Sequence, residues 1–217
     1  MAEIYLGRIV AVGITPSGKP AALYRVSSRS FPNRQAEVNA AGTSVSIVPK
    51  PGFESDIRKN PYIAYNCARL VGDAAVLANG SHADPVAEKI ASGMSIRDAL
   101  ALTHLAMDYE KDDYNTPRIT AVADARTKTC WLATIRHDGL DVRSFNLEPG
   151  KVAHLSTYEH NIPTTRQISD FTAETAADAC NFVVSGGVFK EFTNPVTAVA
   201  AVAEGTAFTL AAMDVVI

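Results

Sequence analysis

The sequence predicts an α+β protein built in four layers, α-β-β-α, with two mainly antiparallel sheets stacked between helices. Short apolar runs rich in β-branched residues, separated by Gly, Pro, Asn and Asp, occupy most of the chain. Helical periodicity is confined to two places, one following residue 84 and one following residue 173. Most strand-like runs are joined by hairpin-length connections, which favours antiparallel pairing. Two helical groups serving two groups of strands pack economically as stacked sheets with the helices outside.

Taken in order, Tyr5 to Val12 reads as a strand ending at Gly13 and the turn Pro16-Ser17-Gly18, and Ala21 to Val26 is its hairpin partner. Val45 to Val48 is a third strand, stopped by Pro49, Pro51 and Gly52. Ile63 to Val71 and Ala74 to Leu77 form two strands joined at Gly72-Asp73. Asp84 to Ala91 and Ser95 to Tyr109 read as helices, the second opened by Ser95 with Asp98 in a capping-box spacing. Ile96, Ala99, Leu100, Thr103 and Met107 share one face of it. Strands return at Ile119 to Ala123, Cys130 to Ile135, Leu140 to Phe145 and Val152 to Thr157. A helix from about Ala173 to Val184 is stopped by Gly186-Gly187, and Phe208 to Met213 is a last strand. Val196 to Ala203 is apolar, short and Ala-rich, far from the ~20 residues of a membrane span. With no repeat, low-complexity tract or linker, residues 1–217 read as a single domain.

A net charge of −3 argues against a general nucleic-acid binder, which would carry a basic face. It leaves room for a small anionic substrate held by a few focused arginines. Cys67, Cys130 and Cys180 are widely spaced and odd in number, so neither a disulfide framework nor a zinc site is expected, and a reducing cytoplasm is the simplest setting. Met1-Ala2-Glu3-Ile4-Tyr5 does not read as a signal peptide. No metal, cofactor or membrane partner is expected.

Polar chemistry concentrates in four segments. Arg25 to Arg34 holds Arg25, Arg29, Arg34 and Ser27, Ser28, Ser30 just after a strand; guanidinium forks and hydroxyls suit phosphate, and the same residues also suit a solvated loop. In Asn60 to Cys67, Tyr65 and Cys67 face one way on a strand and Asn66 the other. Tyr65 and Asn66 offer donors to a heterocycle or an oxyanion, while Cys67 reads as a small buried hydrophobe. Asn79-Gly80 is a turn, Asp84 is placed to cap the next helix, and His82 is a group that titrates near neutrality, although a turn histidine is more often simply surface. Asp108 to Arg118 is the densest: Glu110 beside Lys111 forms an acid–base couple, or an ordinary solvated helix end. No Walker loop, GxGxxG, HExxH or GxSxG elbow is present.

These segments also carry a resemblance. Tyr5-Leu6-Gly7-Arg8, Tyr24 through Arg34, Asn60 through Cys67, Asn79 through His82, Ala106 through Lys111, Asn115-Thr116-Pro117-Arg118, Ser156-Thr157-Tyr158-Glu159 and Phe192 through Ala198 resemble, in order, the archaeal-type IMP cyclohydrolase family. The resemblance implies a four-layer fold similar to N-terminal nucleophile hydrolases. It implies conversion of a 5-formamidoimidazole-4-carboxamide ribonucleotide to IMP and water, with no cofactor, and an oligomer such as a tetramer as the assembly. It departs from the wider fold at the start of the chain. Met1-Ala2-Glu3 offers no Ser, Thr or Cys nucleophile, and ring closure needs none, because the substrate's own carboxamide nitrogen attacks. On this reading Arg25, Arg29, Ser27 and Ser28 hold phosphate and ribose. Tyr65 and Asn66 hold the base and formyl oxygen, Glu110 accepts a proton, and Lys111 stabilises the departing oxygen. Asn79 and His82 are second-choice contacts. The rival readings are an amidohydrolase of the same fold using Cys67 after chain cleavage, and a nucleotide-binding protein without catalysis.

Overall fold

Runs that are apolar on consecutive residues need cover on both faces, and this requirement sets the architecture. The computed structural model describes residues 4–215; Met1-Ala2-Glu3, on which the reading of the chain's start rests, lie outside the described residues. The chain opens with β1 (Ile9–Ile14) and β2 (Pro20–Ser27), the expected hairpin, in register from Ile9 opposite Arg25 to Ile14 opposite Pro20. β3 (Arg34–Val38), β4 (Ser44–Pro49), the short helix α1 (Asp56–Lys59), β5 (Tyr65–Val71) and β6 (Ala74–Ala78) follow. Helices α2 (Ala83–Ala91) and α3 (Ile96–Met107) lead to β7 (Arg118–Asp124), β8 (Cys130–Arg136), β9 (Gly139–Phe145), β10 (Lys151–Ser156) and β11 (Ile168–Asp170). Helix α4 (Ala176–Ser185), β12 (Pro195–Glu204) and β13 (Ala207–Asp214) close the chain.

One sheet has six strands in the order β11-β10-β1-β2-β12-β13; the other has seven, β3-β4-β5-β6-β7-β8-β9. All ladders are antiparallel. Three apolar interfaces define the four layers. Val10, Val12, Tyr24 and Val26 meet Ile47, Leu77, Ile119 and Leu132 between the sheets. On the outer face of the six-stranded sheet, Ile9, Ala11, Leu23 and Val152 pack under Ala179, Phe182 and Val183 of α4. On the outer face of the seven-stranded sheet, Val76, Val122 and Ala133 pack under Val86, Ala87 and Leu100 of α2 and α3.

Several boundaries differ from expectation. Tyr5 to Arg8 is not in the first strand, because Gly7 sits at φ +70°. An added Cβ there would fall 2.2 Å from Thr157 Oγ1, so only glycine lets the chain pass this close. Asp84 lies in the first turn of α2 rather than capping it; its carboxylate takes Arg69 and Asn66 instead. Ser95 accepts the Asp98 N–H, but Asp98 turns to Arg97, so the box is one-sided. Helix α3 stops at Met107 because Asp108 takes φ +57°. Strand β12, assigned to no element from the sequence, is an interior strand between β2 and β13. Val196, Val199 and Ala201 face the sheet interface while Ala198, Ala200 and Val202 face α4, so no alternation marks it. Among the described residues no helix is long and apolar enough to cross a membrane.

Candidate active site

The antiparallel order brings the lead-in to β1, the end of β2, the starts of β3, β5 and β7, and the end of β6 to one end of the sandwich. Buried polar side chains concentrate there: Arg34, Arg118, Glu110 and Tyr65 are each at most 8% exposed. A strand end can hold such groups because its outermost residues are flanked by loops rather than by sheet core.

Glu110 is at the centre. Its N–H donates to the Thr116 carbonyl at 2.9 Å, and Asp112 holds that turn by accepting from the Thr116 N–H and hydroxyl. Its Oε2 accepts from Arg8 Nη2 at 2.9 Å, while its Oε1 lies 3.9 Å from Arg118 Nη1 and has no hydrogen-bond partner among the described residues. Burial pushes the Glu110 carboxyl above the usual carboxylate range, and Arg8 and Arg118 pull it partly back. Burial works against the charge of Arg8, but Glu110 and the nearby phenols Tyr65, Tyr24 and Tyr158 more than offset that and hold its pKa above the ordinary arginine value. A carboxylate between two guanidiniums, with one oxygen left unpaired, has the makings of a proton acceptor.

Tyr65 and Glu110 line one recess of about 30 Å³, together with Pro61, Tyr62, Ala64, Gly80, Ser81 and Arg118. The Tyr65 hydroxyl meets the Tyr24 hydroxyl at 2.5 Å across the two sheets. Burial raises both phenols; for Tyr65, Arg34 and Arg8 oppose that shift. Gly80 makes room for Arg118. A Cβ on Gly80 would lie 2.8 Å from Arg118 Nη1, the mobile end of a side chain whose Nε donates to the Asp108 carbonyl. Gly80→Ala is therefore expected to displace the Arg118 guanidinium and lower kcat/KM about tenfold with little change in Tm, the cost of roughly one charge-assisted hydrogen bond. Steady-state kinetics beside a thermal melt check it, and unchanged kinetics would separate Arg118 from the chemistry.

The remaining expected residues take other places. Arg25 does not face a phosphate site: it is fully buried. Its guanidinium donates to Ser27 Oγ and to the carbonyls of Val183, Val184, Phe189, Phe192 and Thr193. Burial lowers its pKa to about 10. Ser27 is engaged by that bond, and Ser28 Oγ accepts the Phe31 N–H. Arg29 is exposed, 4.2 Å above the Tyr5 ring. Asn66, on the opposite face of β5 from Tyr65, accepts from Ser46 and donates to Asp84. Asn79 is consumed by backbone, donating to the Pro117 carbonyl and accepting the Ile119 N–H. His82 is buried against His104 rather than exposed on a turn, and burial, with His104 and Arg118 nearby, drives its pKa well below neutrality, so it stays uncharged. Lys111 points outward to Asp108 and stacks over the Tyr109 ring.

The residues to which sequence reasoning gave no role are Arg8, Arg118 and Tyr24, while Arg34 was placed only within the segment suited to phosphate. The available signal was arginine at the edge of an apolar strand run, as in Pro117-Arg118-Ile119 and Gly7-Arg8-Ile9, where a charge must be paired or serve a ligand.

A recess walled by one carboxylate, one guanidinium and two phenols, with apolar sheets beneath it, is the kind of site found in enzymes that move protons on a small polar substrate. The chain belongs to the IMP cyclohydrolase-like protein family, whose model matches residues 5–207. It is 49% identical to the IMP cyclohydrolase of Methanosphaera stadtmanae, over 91% of this chain and 94% of that one. It is 46% identical to the IMP cyclohydrolase of Methanococcus maripaludis strain C7, over 90% and 93%. For the IMP cyclohydrolase of Methanocaldococcus jannaschii the identity is 42%, over 92% and 94%.

Proposed function

We propose that this chain is an IMP cyclohydrolase, closing the second purine ring of 5-formamido-1-(5-phosphoribosyl)imidazole-4-carboxamide to give IMP and water. The observation that carries the reading is family membership along nearly the whole chain, with relatives named for that activity. The chemistry of the site fits it. The carboxamide nitrogen attacks the formyl carbon of the same molecule, so the protein's main task is to hold a near-attack shape. Glu110, through its unpaired Oε1, takes the proton of the attacking nitrogen. Tyr65 and the guanidiniums of Arg8 and Arg118 stabilise the oxygen as it gains negative charge. Two protons, one from each nitrogen, end on that oxygen, which leaves as water; Glu110 carries one and Tyr65 the other. The recess at Glu110 is about 30 Å³, room for a group the size of that water. The nucleotide body then lies outside it. Arg29 and Ser28 at the open rim, with Arg34 behind, are the proposed phosphate and ribose contacts.

The amidohydrolase reading loses support from the placement of Cys67. The thiol is fully buried in β5 between β4 and β6, and burial pushes its pKa up, away from the thiolate. Chain cleavage before it would cut the seven-stranded sheet. The test is ultraviolet monitoring of purified protein with the formamido substrate, with and without chelator. Ring closure at equal rate in both is expected. IMP binding in calorimetry without ring closure would replace the enzyme reading with a binding protein.

A further inference from the structure

Tyr24 has no part in the ring closure described above, yet it is a fully buried phenol on β2 whose oxygen meets that of Tyr65, on β5, at 2.5 Å. Val26, Cys67, Val45 and Ile47 belong to the same apolar cluster between the sheets. A hydroxyl pair in such a place costs desolvation unless both oxygens are used. Among the described residues the Tyr24 hydroxyl has one partner, Tyr65, and no exposed surface. Tyr65 has Tyr24 on one side and lines the recess shared with Glu110 and Arg118 on the other.

We propose that Tyr24 is a positioning residue for ring closure: its hydroxyl donates to the Tyr65 hydroxyl, fixes that ring, and leaves the Tyr65 proton for the substrate oxygen in the recess. The inference rests on the cyclohydrolase reading above. The direction of the bond follows from the surroundings. Arg34 and Arg8 both oppose the effect of burial on Tyr65, whereas Tyr24 has Arg8 alone, so negative charge is better tolerated on Tyr65 than on the deeper Tyr24. The phenol that must lend its proton is thereby the one whose anion is supported. Its anion accepts a hydrogen bond from Tyr24 and faces two guanidiniums. Two sheets contribute to this pair, so the stacking of the sandwich itself sets the alignment of the group.

The experiment is a double-mutant cycle on the full chain: wild type, Tyr24→Phe, Tyr65→Phe and the double variant, with kcat, KM and pH profile for each. Tyr24→Phe removes a single oxygen, and a thermal melt verifies that it folds. The expected result is kcat down about tenfold with KM unchanged, the worth of one hydrogen bond realised in the transition state. Without the Tyr24 donor the Tyr65 phenolate loses support, so the alkaline limb of kcat moves to higher pH. Because Tyr24 acts through Tyr65, the double variant should be no slower than Tyr65→Phe alone. Multiplying effects, or a Tyr24→Phe enzyme with wild-type kcat and alkaline limb, would overturn the proposal. A wild-type chain that closes no ring would overturn the cyclohydrolase reading instead.

Discussion

Glu110→Gln is expected to lower kcat/KM by roughly 10²- to 10⁴-fold, the range a positioned general base supplies. Glutamine keeps the shape and can still accept from Arg8, so the loss reads proton transfer more than packing. The pH profile should change with it. The Glu110 carboxyl is held above its ordinary range by burial, with Arg8 and Arg118 pulling the other way. Only the ionised form accepts a proton, so the wild-type rate falls as pH drops through that raised value. The acid limb therefore lies above that of a solvated carboxylate, and Glu110→Gln should lack it. Removing the charge also leaves Arg8 and Arg118 facing each other without a counter-ion, which is expected to cost about 3 kcal/mol in a melt. Lys111→Ala is the neighbouring control. The Lys111 side chain is 56% exposed and paired with a largely solvated Asp108, so its loss should change kcat/KM by no more than about threefold. A slow Lys111→Ala with an unaffected Glu110→Gln would reverse the two roles.

The contrast between Glu110 and Lys111 shows where the sequence could be read and where it could not. Both sit in the segment densest in charge, and adjacency in the chain suggested a couple. The chain after α3 is irregular, however, and Asp108 at φ +57° turns the next residues so that Glu110 goes in and Lys111 goes out. No periodicity announces that turn. The layered fold was legible because short apolar runs rich in β-branched residues are joined at hairpin spacing, and because helical runs occupy only two stretches of chain. Strand β3, Arg34-Gln35-Ala36-Glu37-Val38, was not legible: it is an edge strand, and edges carry charge to discourage pairing with other chains. Arg8, Arg34 and Arg118 each precede or begin a strand. Their convergence depends on which strand ends share one end of the sandwich, and that is a property of sheet order, not of local sequence.

Arg25→Ala is expected to act on stability rather than on substrate affinity. In the sequence, Arg25 looks like the first arginine of an anion loop; in the fold it is the peg under the end of α4. Helix ends leave carbonyls without intrahelical donors, and those of Val183 and Val184 receive Arg25 Nη1 at 3.4 and 3.1 Å. The turns that follow add Phe189 at 3.0 Å, Phe192 at 2.5 Å and Thr193 at 3.1 Å. The positive charge also sits at the negative end of the helix dipole. Alanine would strand these acceptors beneath α4 and leave a cavity the length of the side chain. A loss of about 3–5 kcal/mol follows from such unsatisfied buried groups. In a chain of 217 residues that corresponds to a Tm lower by roughly 10 °C. Arg25→Lys should recover only part of it, because an ammonium has three donors and no fork to span separate carbonyls. Well below the melt, KM for the ribonucleotide should stay within about twofold of wild type, since no N–H of Arg25 faces the recess. A Tm unchanged by Arg25→Ala, together with a KM raised tenfold or more, would instead return Arg25 to the substrate.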